Sequence, residues 1–192
     1  FPSFEYACQQ GWGYSNLGDD ASSSMATAAE TAAAMAGWKI NTVRIPLNQD
    51  CWLGDDGLPV TDLTRKGFGV TLTSIGYRVA VIEFVEALNA QGIVAVPDLH
   101  WSSPDGIVSD GLRVMADNRS DDFWTSVAAS FRTHPSVMFD LFNEPHSRWS
   151  DAAGRWAFQL SWECWKSGGC QGPVENDKTP LPPSAGSTFT TM

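Results

Sequence analysis

The chain has 192 residues, 43% of them apolar, which is enough for one domain with a sizeable core or for part of a larger domain. Its formal net charge is -10 and it has no cluster of Lys or Arg, which argues against nucleic acid or anionic lipid as a partner. Because no run of about 18 uncharged apolar residues occurs, we expect no transmembrane helix.

The first half of the chain predicts two units in which a helix leads into a strand. Residues 22–37 are Ala-rich and stop at Gly37, and the apolar run 40–47 follows as a buried strand. The helix has a buried stripe predicted at Met25, Ala28, Ala32 and Met35. Residues 77–92 predict a second helix that ends at Gly92, and 93–100 predict the next strand. The second helix has a buried stripe predicted at Val79, Ile82, Val85 and Leu88.

A third unit follows with the same order. Ser120, Asp121 and Asp122 are typical of a helix N-terminus, and the strand 137–142 comes after Pro135. The stripe of this helix is predicted at Phe123, Val127 and Phe131. Apolar strands that alternate with helices indicate a parallel sheet covered by helices.

The repeat lengths predict an α/β fold in which residues 1–192 form the N-terminal half of a (β/α)8 barrel, with about four of its eight units. The first strand is assigned to residues 4–16. After Glu144 the pattern fades: residues 149–166 suit a helix or a structured loop, and the Gly-, Pro- and Ser-rich tail 167–192 is predicted to be irregular. A complete domain with an open four-stranded sheet is the alternative, and we favour a truncated or cleaved barrel.

Polar residues stand at the carboxyl ends of the predicted strands, where barrel enzymes carry their working groups. Arg44 and Asn48 flank Pro46 on the second strand. The other members of this set are Asp98, His100, Asn143 and Glu144. We expect Glu144 to be desolvated in an aromatic cleft, so that it holds a proton near neutral pH and donates it, while the Asn143 amide binds a sugar hydroxyl.

Three segments carry a resemblance to a known family. The sequences NTVRIPL, VPDLHW and FDLFNEPH resemble the second-, third- and fourth-strand motifs of the family 5 glycoside hydrolases, which are retaining cellulase-type barrel enzymes. The likeness covers essentially residues 10–148. It implies hydrolysis of a β-linked oligo- or polysaccharide without a cofactor or metal.

The resemblance also implies a role for each matching residue. Glu144 would be the general acid/base, Asn143 would bind the 2-hydroxyl of the sugar, and His100 would line the same subsite. Arg44 would orient the nucleophilic carboxylate, which in this family is a Glu on the seventh strand. Since a partner for Glu144 would lie in the missing C-terminal half of the barrel, we predict that the isolated chain is inactive. Three other acids are read as surface charges: Glu163, Glu175 and Asp177.

The nine tryptophans exceed ordinary usage and favour a neutral sugar ligand, because indole rings stack on sugar C–H faces. Those in or beside strand-end loops are divided evenly between ligand and structural roles, with Trp101 favoured for the ligand; they are Trp12, Trp52, Trp101 and Trp149. Those at helical positions are assigned to packing; they are Trp38, Trp124, Trp156 and Trp162.

The four cysteines favour two disulfides, Cys8–Cys51 and Cys164–Cys170, and therefore a secreted protein. The chain starts at Phe1 without a leader, as expected of a processed secreted protein or a cut chain. Four reduced thiols in a cytosolic protein are the alternative.

Two other functions stay open. One is a metal-dependent barrel hydrolase that uses Asp98, His100, Glu144 and His146, although the chain has only three His. The other is a carbohydrate-binding module without catalysis.

Overall fold

The centre of the fold is a parallel pair of strands in the predicted order. The computed structural model describes residues 4, 26–54, 74–103, 109, 111–150, 154–173 and 186–188. Strand β1 (Thr42–Asn48) pairs in parallel with β2 (Val94–Trp101). Both strands run within one or two residues of their predicted bounds.

A third parallel position lies beside β2, but it is not the continuous strand predicted at 137–142. Two isolated parallel bridges, Ala95 to Val137 and Asp98 to Asp140, join this segment to β2. Met138 is 62% exposed, so the segment is not apolar and buried on both sides as its composition suggested. The prediction of three neighbouring parallel positions is confirmed, and the first of the four units, at residues 4–16, lies outside the described residues except for Phe4.

The helices lead into the strands as the periodicity predicted. Helix α1 (Ala28–Gly37) begins with a capping box between Thr27 and Glu30. A short helix α2 (Gln49–Leu53) follows β1, α3 (Ser74–Ala90) precedes β2, and α4 (Asn118–Phe131) precedes the third position. The predicted stripe of α4 is confirmed, as are the predicted residues of α1 that the structure describes; the buried residues are Ala28, Ala32, Met35, Phe123, Val127 and Phe131. Helix α4 starts two residues before the predicted Ser120 because Asp117 supplies its N-cap.

The stripe predicted for α3 is partly wrong. Val85 and Leu88 are fully buried, but Val79 is 47% exposed. The residues of this helix that enter the core are Tyr77, Ala80, Val81, Phe84, Val85 and Leu88. The rings of Tyr77 and Phe84 lie in the core. This set of residues fits a 3.6-residue period better than the predicted stripe, which was based on the aliphatic residues alone.

Beyond the third position the chain forms small antiparallel elements. Strand β3 (Arg148–Ser150) pairs with β4 (Arg155–Phe158), helix α5 (Trp162–Ser167) follows, and β5 (Gln171–Pro173) pairs with β6 (Gly186–Thr188). The single helix or loop considered for 149–166 is therefore a hairpin followed by a short helix. The tail predicted to be irregular contains the β5–β6 pair.

The disulfide predictions are confirmed as far as the described residues reach. Cys164 is bonded to Cys170, and Cys51 is also in a disulfide, although its predicted partner Cys8 lies outside the described residues. Cys164 belongs to a second small core with Val114, Met115 and Phe158. None of the helices described here is both long enough and apolar enough to cross a membrane.

Candidate active site

Arg44 is the centre of a polar cluster at the sheet. Its Nε donates to Asp140 Oδ2 at 2.9 Å, and its Nη2 lies 2.8 Å from Asn143 Oδ1 and 3.0 Å from Asp98 Oδ1. Side chains two residues apart on a strand share one face, and Arg44 is paired with Val96, two residues before Asp98. The bridge from Asp98 to Asp140 continues the row across the third position. One guanidinium group therefore ties three neighbouring strand positions together.

Asp98 is the buried member of the cluster and connects Arg44 to His100. Its side chain is fully buried, and its Oδ2 lies 2.8 Å from His100 Nδ1. Burial raises the pKa of Asp98, and the hydrogen bond and charge of His100 and the charge of Arg44 offset part of this rise. His100 is 22% exposed, so one edge of its ring faces outward while Asp98 fixes the other.

Asn143 is buried and held at two points. Its backbone N–H donates to Leu99 O at 3.0 Å, and its side-chain oxygen accepts from Arg44. Because the oxygen of the amide is used by a cation, the NH2 group is the part left to meet a ligand. Arg44, His100 and Asn143 are thus brought together, as the strand-end positions predicted.

Glu144 follows Asn143 directly, and its environment differs from the expectation. Its side chain is exposed, and the described residues form no hydrogen bond or ion pair with its carboxylate. The expected desolvation in an aromatic cleft is therefore not provided by the described residues. Its backbone φ is +48°, which breaks the alternation of an extended strand.

Asp140 was missed in the sequence and belongs to the site by its bond to Arg44. The signal was present, because Asp140 is the one charge within the apolar segment 137–142. Asn48, in contrast, stands at a strand end as predicted but takes a structural role. Its side-chain oxygen caps α2 and its amide donates to Ser109 O at 2.9 Å, so it is buried and used for folding.

A separate buried polar network surrounds Asn48. Asp50 accepts hydrogen bonds from the Ser103 hydroxyl and the Ser109 backbone N–H, and Arg119 Nη1 lies 3.7 Å from it. Burial raises the pKa of Asp50, and these partners offset part of the rise. The network attaches the chain after β2 to α2 and α4, and it therefore supports the site without facing it.

The tryptophans are distributed differently from the prediction. Trp101 is only 4% exposed and Trp52 is fully buried, so neither presents a ring face to a sugar in this conformation. Trp12 lies outside the described residues. The assignment to packing is wrong for three residues that are 47–74% exposed, Trp38, Trp156 and Trp162. Trp124 packs against the core and donates to Leu141 O, as assigned.

The metal-ligand set considered in the sequence is not assembled. Among the residues that the structure describes, no group of three or more His, Cys, Asp and Glu side chains is placed to hold a metal ion. His100 Nδ1 contacts Asp98, and His146 Nδ1 contacts the carbonyl oxygen of Glu144.

Comparison with known proteins gives one family match. The model of the family described as cellulase, glycosyl hydrolase family 5, matches residues 6–168. No curated protein matches the chain.

Solved structures of proteins from two organisms are similar to the chain. An endocellulase of Pyrococcus horikoshii in complex with cellotetraose is 19% identical with a TM-score of 0.45, over 66% of this chain and 33% of that one. The catalytic domain of the major endoglucanase of Xanthomonas campestris pv. campestris is 23% identical with a TM-score of 0.44, over 68% and 38% respectively. The chain therefore spans about a third of the length of these structures.

Proposed function

Since the chain belongs to glycosyl hydrolase family 5, the cellulase family, we propose that its protein hydrolyses β-linked polysaccharide in the manner of an endo-β-1,4-glucanase. The observation that carries the proposal is the cluster in which Arg44 contacts Asp98, Asp140 and Asn143. Asn143 is the residue directly before Glu144 in the chain. Glycoside hydrolysis needs carboxyl groups beside the scissile bond and hydrogen bonds to the sugar hydroxyls, and Glu144 and the Asn143 amide can supply one of each.

We assign the general acid/base role to Glu144. A carboxylate nucleophile attacks the anomeric carbon, the bond to the leaving oxygen breaks, and Glu144 donates its proton to that oxygen. Water then attacks the anomeric carbon of the covalent intermediate and gives a proton to Glu144. The bond between this carbon and the nucleophilic carboxylate breaks, and the nucleophile is released. A retaining reaction of this kind needs the two carboxyl groups about 5–5.5 Å apart.

The nucleophile is proposed to lie outside this chain, in the remainder of a (β/α)8 barrel. Of the other acids considered, Glu163 is exposed and accepts from Ser167 Oγ at 2.7 Å, whereas Glu175 and Asp177 lie outside the described residues. We therefore expect the isolated 192-residue chain to be inactive.

The cluster suggests how the substrate is held. Asn143 donates through its NH2 group to a hydroxyl oxygen, and the outward edge of His100 contacts the same sugar. Arg44 retains partial exposure, 43%, which leaves it able to meet the nucleophilic carboxylate. The ligand is proposed to be a neutral sugar chain, since the acidic protein has few basic groups to attract an anion, and the disulfides favour secretion.

The test is the release of reducing ends from a soluble β-glucan by the protein that carries the whole catalytic domain. Glu144→Gln should lower kcat by roughly 10²- to 10⁴-fold, because a positioned acid/base contributes about that much. Glu163→Gln is the matched control and should retain activity. Full activity of Glu144→Gln, or turnover by the isolated chain, would refute the assignment; loss of activity with a chelator would favour the metal-dependent alternative.

A non-catalytic sugar-binding function is the second candidate, and one observation favours it. Trp149 and Trp156 are cross-strand partners on β3 and β4, with ring centroids 5.3 Å apart and about half of each side chain exposed. If binding alone is the function, an oligosaccharide should quench Trp fluorescence in wild type and Glu144→Gln alike, and no reducing ends should appear with either protein.

A further inference from the structure

The backbone of Glu144 adopts a conformation that needs support. Its φ is +48°, and among the described residues other than glycine only Lys39, just after α1, also has a positive φ. Residues with a Cβ atom rarely adopt a positive φ. This backbone conformation costs about 1–3 kcal/mol and persists only where the surrounding structure fixes it. Pro145 follows and restricts the residue before it still further. A strained acid at a strand end therefore requires contacts that hold it there.

His146 makes the contact that fixes this turn. Its Nδ1 lies 2.8 Å from Glu144 O, and its own backbone N–H donates to Val114 O at 3.0 Å. A carbonyl oxygen only accepts, so the Nδ1 atom must carry the proton of this hydrogen bond. Protonation of the ring leaves this donor in place, so the contact persists in both charge states of the imidazole.

The anchor of His146 is a packed part of the protein. Val114 is 1% exposed and belongs to the second core with Met115, Phe158 and Cys164. The residue after His146 is attached to the same part, because Ser147 Oγ accepts from Leu160 N at 2.9 Å. The turn at Glu144 is thus attached to a packed core, and one residue of this core, Cys164, is bonded to Cys170.

We propose that His146 is a positioning residue for Glu144, which holds the acid's backbone in its left-handed conformation through the Nδ1–H bond. The proposal rests on the function proposed above for Glu144. It gives His146 no direct part in the reaction and no metal to bind.

The kinetic test compares variants at residue 146 in the protein with the whole catalytic domain. An Asn side chain places its amide nitrogen where Nδ1 lies, whereas Gln places it one methylene farther and Ala removes it. We expect His146→Asn to keep kcat within about threefold, and His146→Ala and His146→Gln to lose up to roughly 100-fold with little change in KM, because misplacement of a reacting group by about 1 Å has such an effect. Equal kcat for the Asn and Ala variants would overturn the proposal.

A second measurement does not depend on activity or on the variants folding. The ¹⁵N spectrum of the imidazole should show His146 with its proton on Nδ1 when the ring is neutral. A neutral ring protonated on Nε2 would overturn the positioning proposal even in an active enzyme. The Nδ1–H form in a protein that releases no reducing ends would instead overturn the proposed function and leave the support of the Glu144 backbone intact.

Discussion

Replacing Asp98 by Asn should lower activity with little loss of stability. The side chain keeps its size, so no cavity forms, and its oxygen can still accept from His100 Nδ1. Arg44 loses its ion pair with Asp98 but keeps its hydrogen bonds to Asp140 and Asn143. The negative charge beside the guanidinium and imidazole groups disappears, and we expect kcat/KM to fall by about 10- to 100-fold because the remaining contacts hold both groups less firmly in position.

The stability effect follows from the burial of Asp98. Because burial raises its pKa although Arg44 and His100 are adjacent, the cost of desolvating the charge exceeds what these partners return. The neutral Asn avoids that cost, so the free energy of unfolding at pH 7 should change by no more than about 1 kcal/mol. Asp98→Ala should cost about 1–3 kcal/mol, since it leaves the buried side of the cluster without an acceptor.

The pH dependence has a definite sign. A carboxyl group with a raised pKa binds its proton more tightly in the folded state, so its destabilising effect is present above the folded pKa and disappears below the ordinary value of 3.8. Wild type should therefore gain stability relative to Asp98→Asn as the pH falls from 7 toward 3. Urea unfolding at several pH values, with β-glucan hydrolysis at pH 6, measures both effects. Full activity, or a loss of 3 kcal/mol at pH 7, would contradict this reasoning.

The remaining predictions concern stability and can be read from urea unfolding. Trp52→Ala should cost about 3–5 kcal/mol because the ring is fully buried. Trp162→Ala, at a residue that is 74% exposed, should change stability by less than about 0.5 kcal/mol, and equal costs for the two would contradict the burial argument. Cys170→Ser should cost about 2 kcal/mol by freeing the short loop that begins at Cys164, and an unchanged midpoint would exclude that contribution. Thr27→Ala should cost about 1 kcal/mol by removing the side chain that caps α1, and an unchanged midpoint would exclude that contribution.

The sequence predicted the fold best where one periodic signal had no competitor. In α4 the apolar residues at 123, 127 and 131 recur once per turn on a helix whose other residues are mostly polar, and all three are buried. In α3 apolar residues occur on most sides, so the pattern did not distinguish the core-facing Tyr77 and Phe84 from the exposed Val79. The segment 137–142 has a strand-like composition, but composition does not report how much of its surface neighbouring elements cover.

The site could be predicted as far as strand ends determine it. Arg44, His100 and Asn143 converge because parallel strands place their carboxyl ends on one edge. Asn48 also stands at a strand end and yet serves as a helix cap. A helix starts directly after it, and its side-chain oxygen accepts hydrogen bonds from the first N–H groups of that helix. Local spacing did not reveal the positive φ of Glu144 or the hydrogen bond from His146 N to Val114 O, because Val114 is remote in sequence.

The proposed acid Glu144 needs a fixed position and a dry environment, and the described residues provide only the first. Position is provided within this chain, because Asp98 and Asn143 are buried and His146 holds the turn at Glu144. A dry environment is not provided by the described residues, since the Glu144 carboxylate is exposed. A carboxylic acid keeps its proton near neutral pH only when desolvation or a neighbouring negative charge disfavours ionisation. The sugar chain itself and a second carboxylate can supply these two effects, so proton donation by Glu144 should become effective only once substrate and nucleophile are in place.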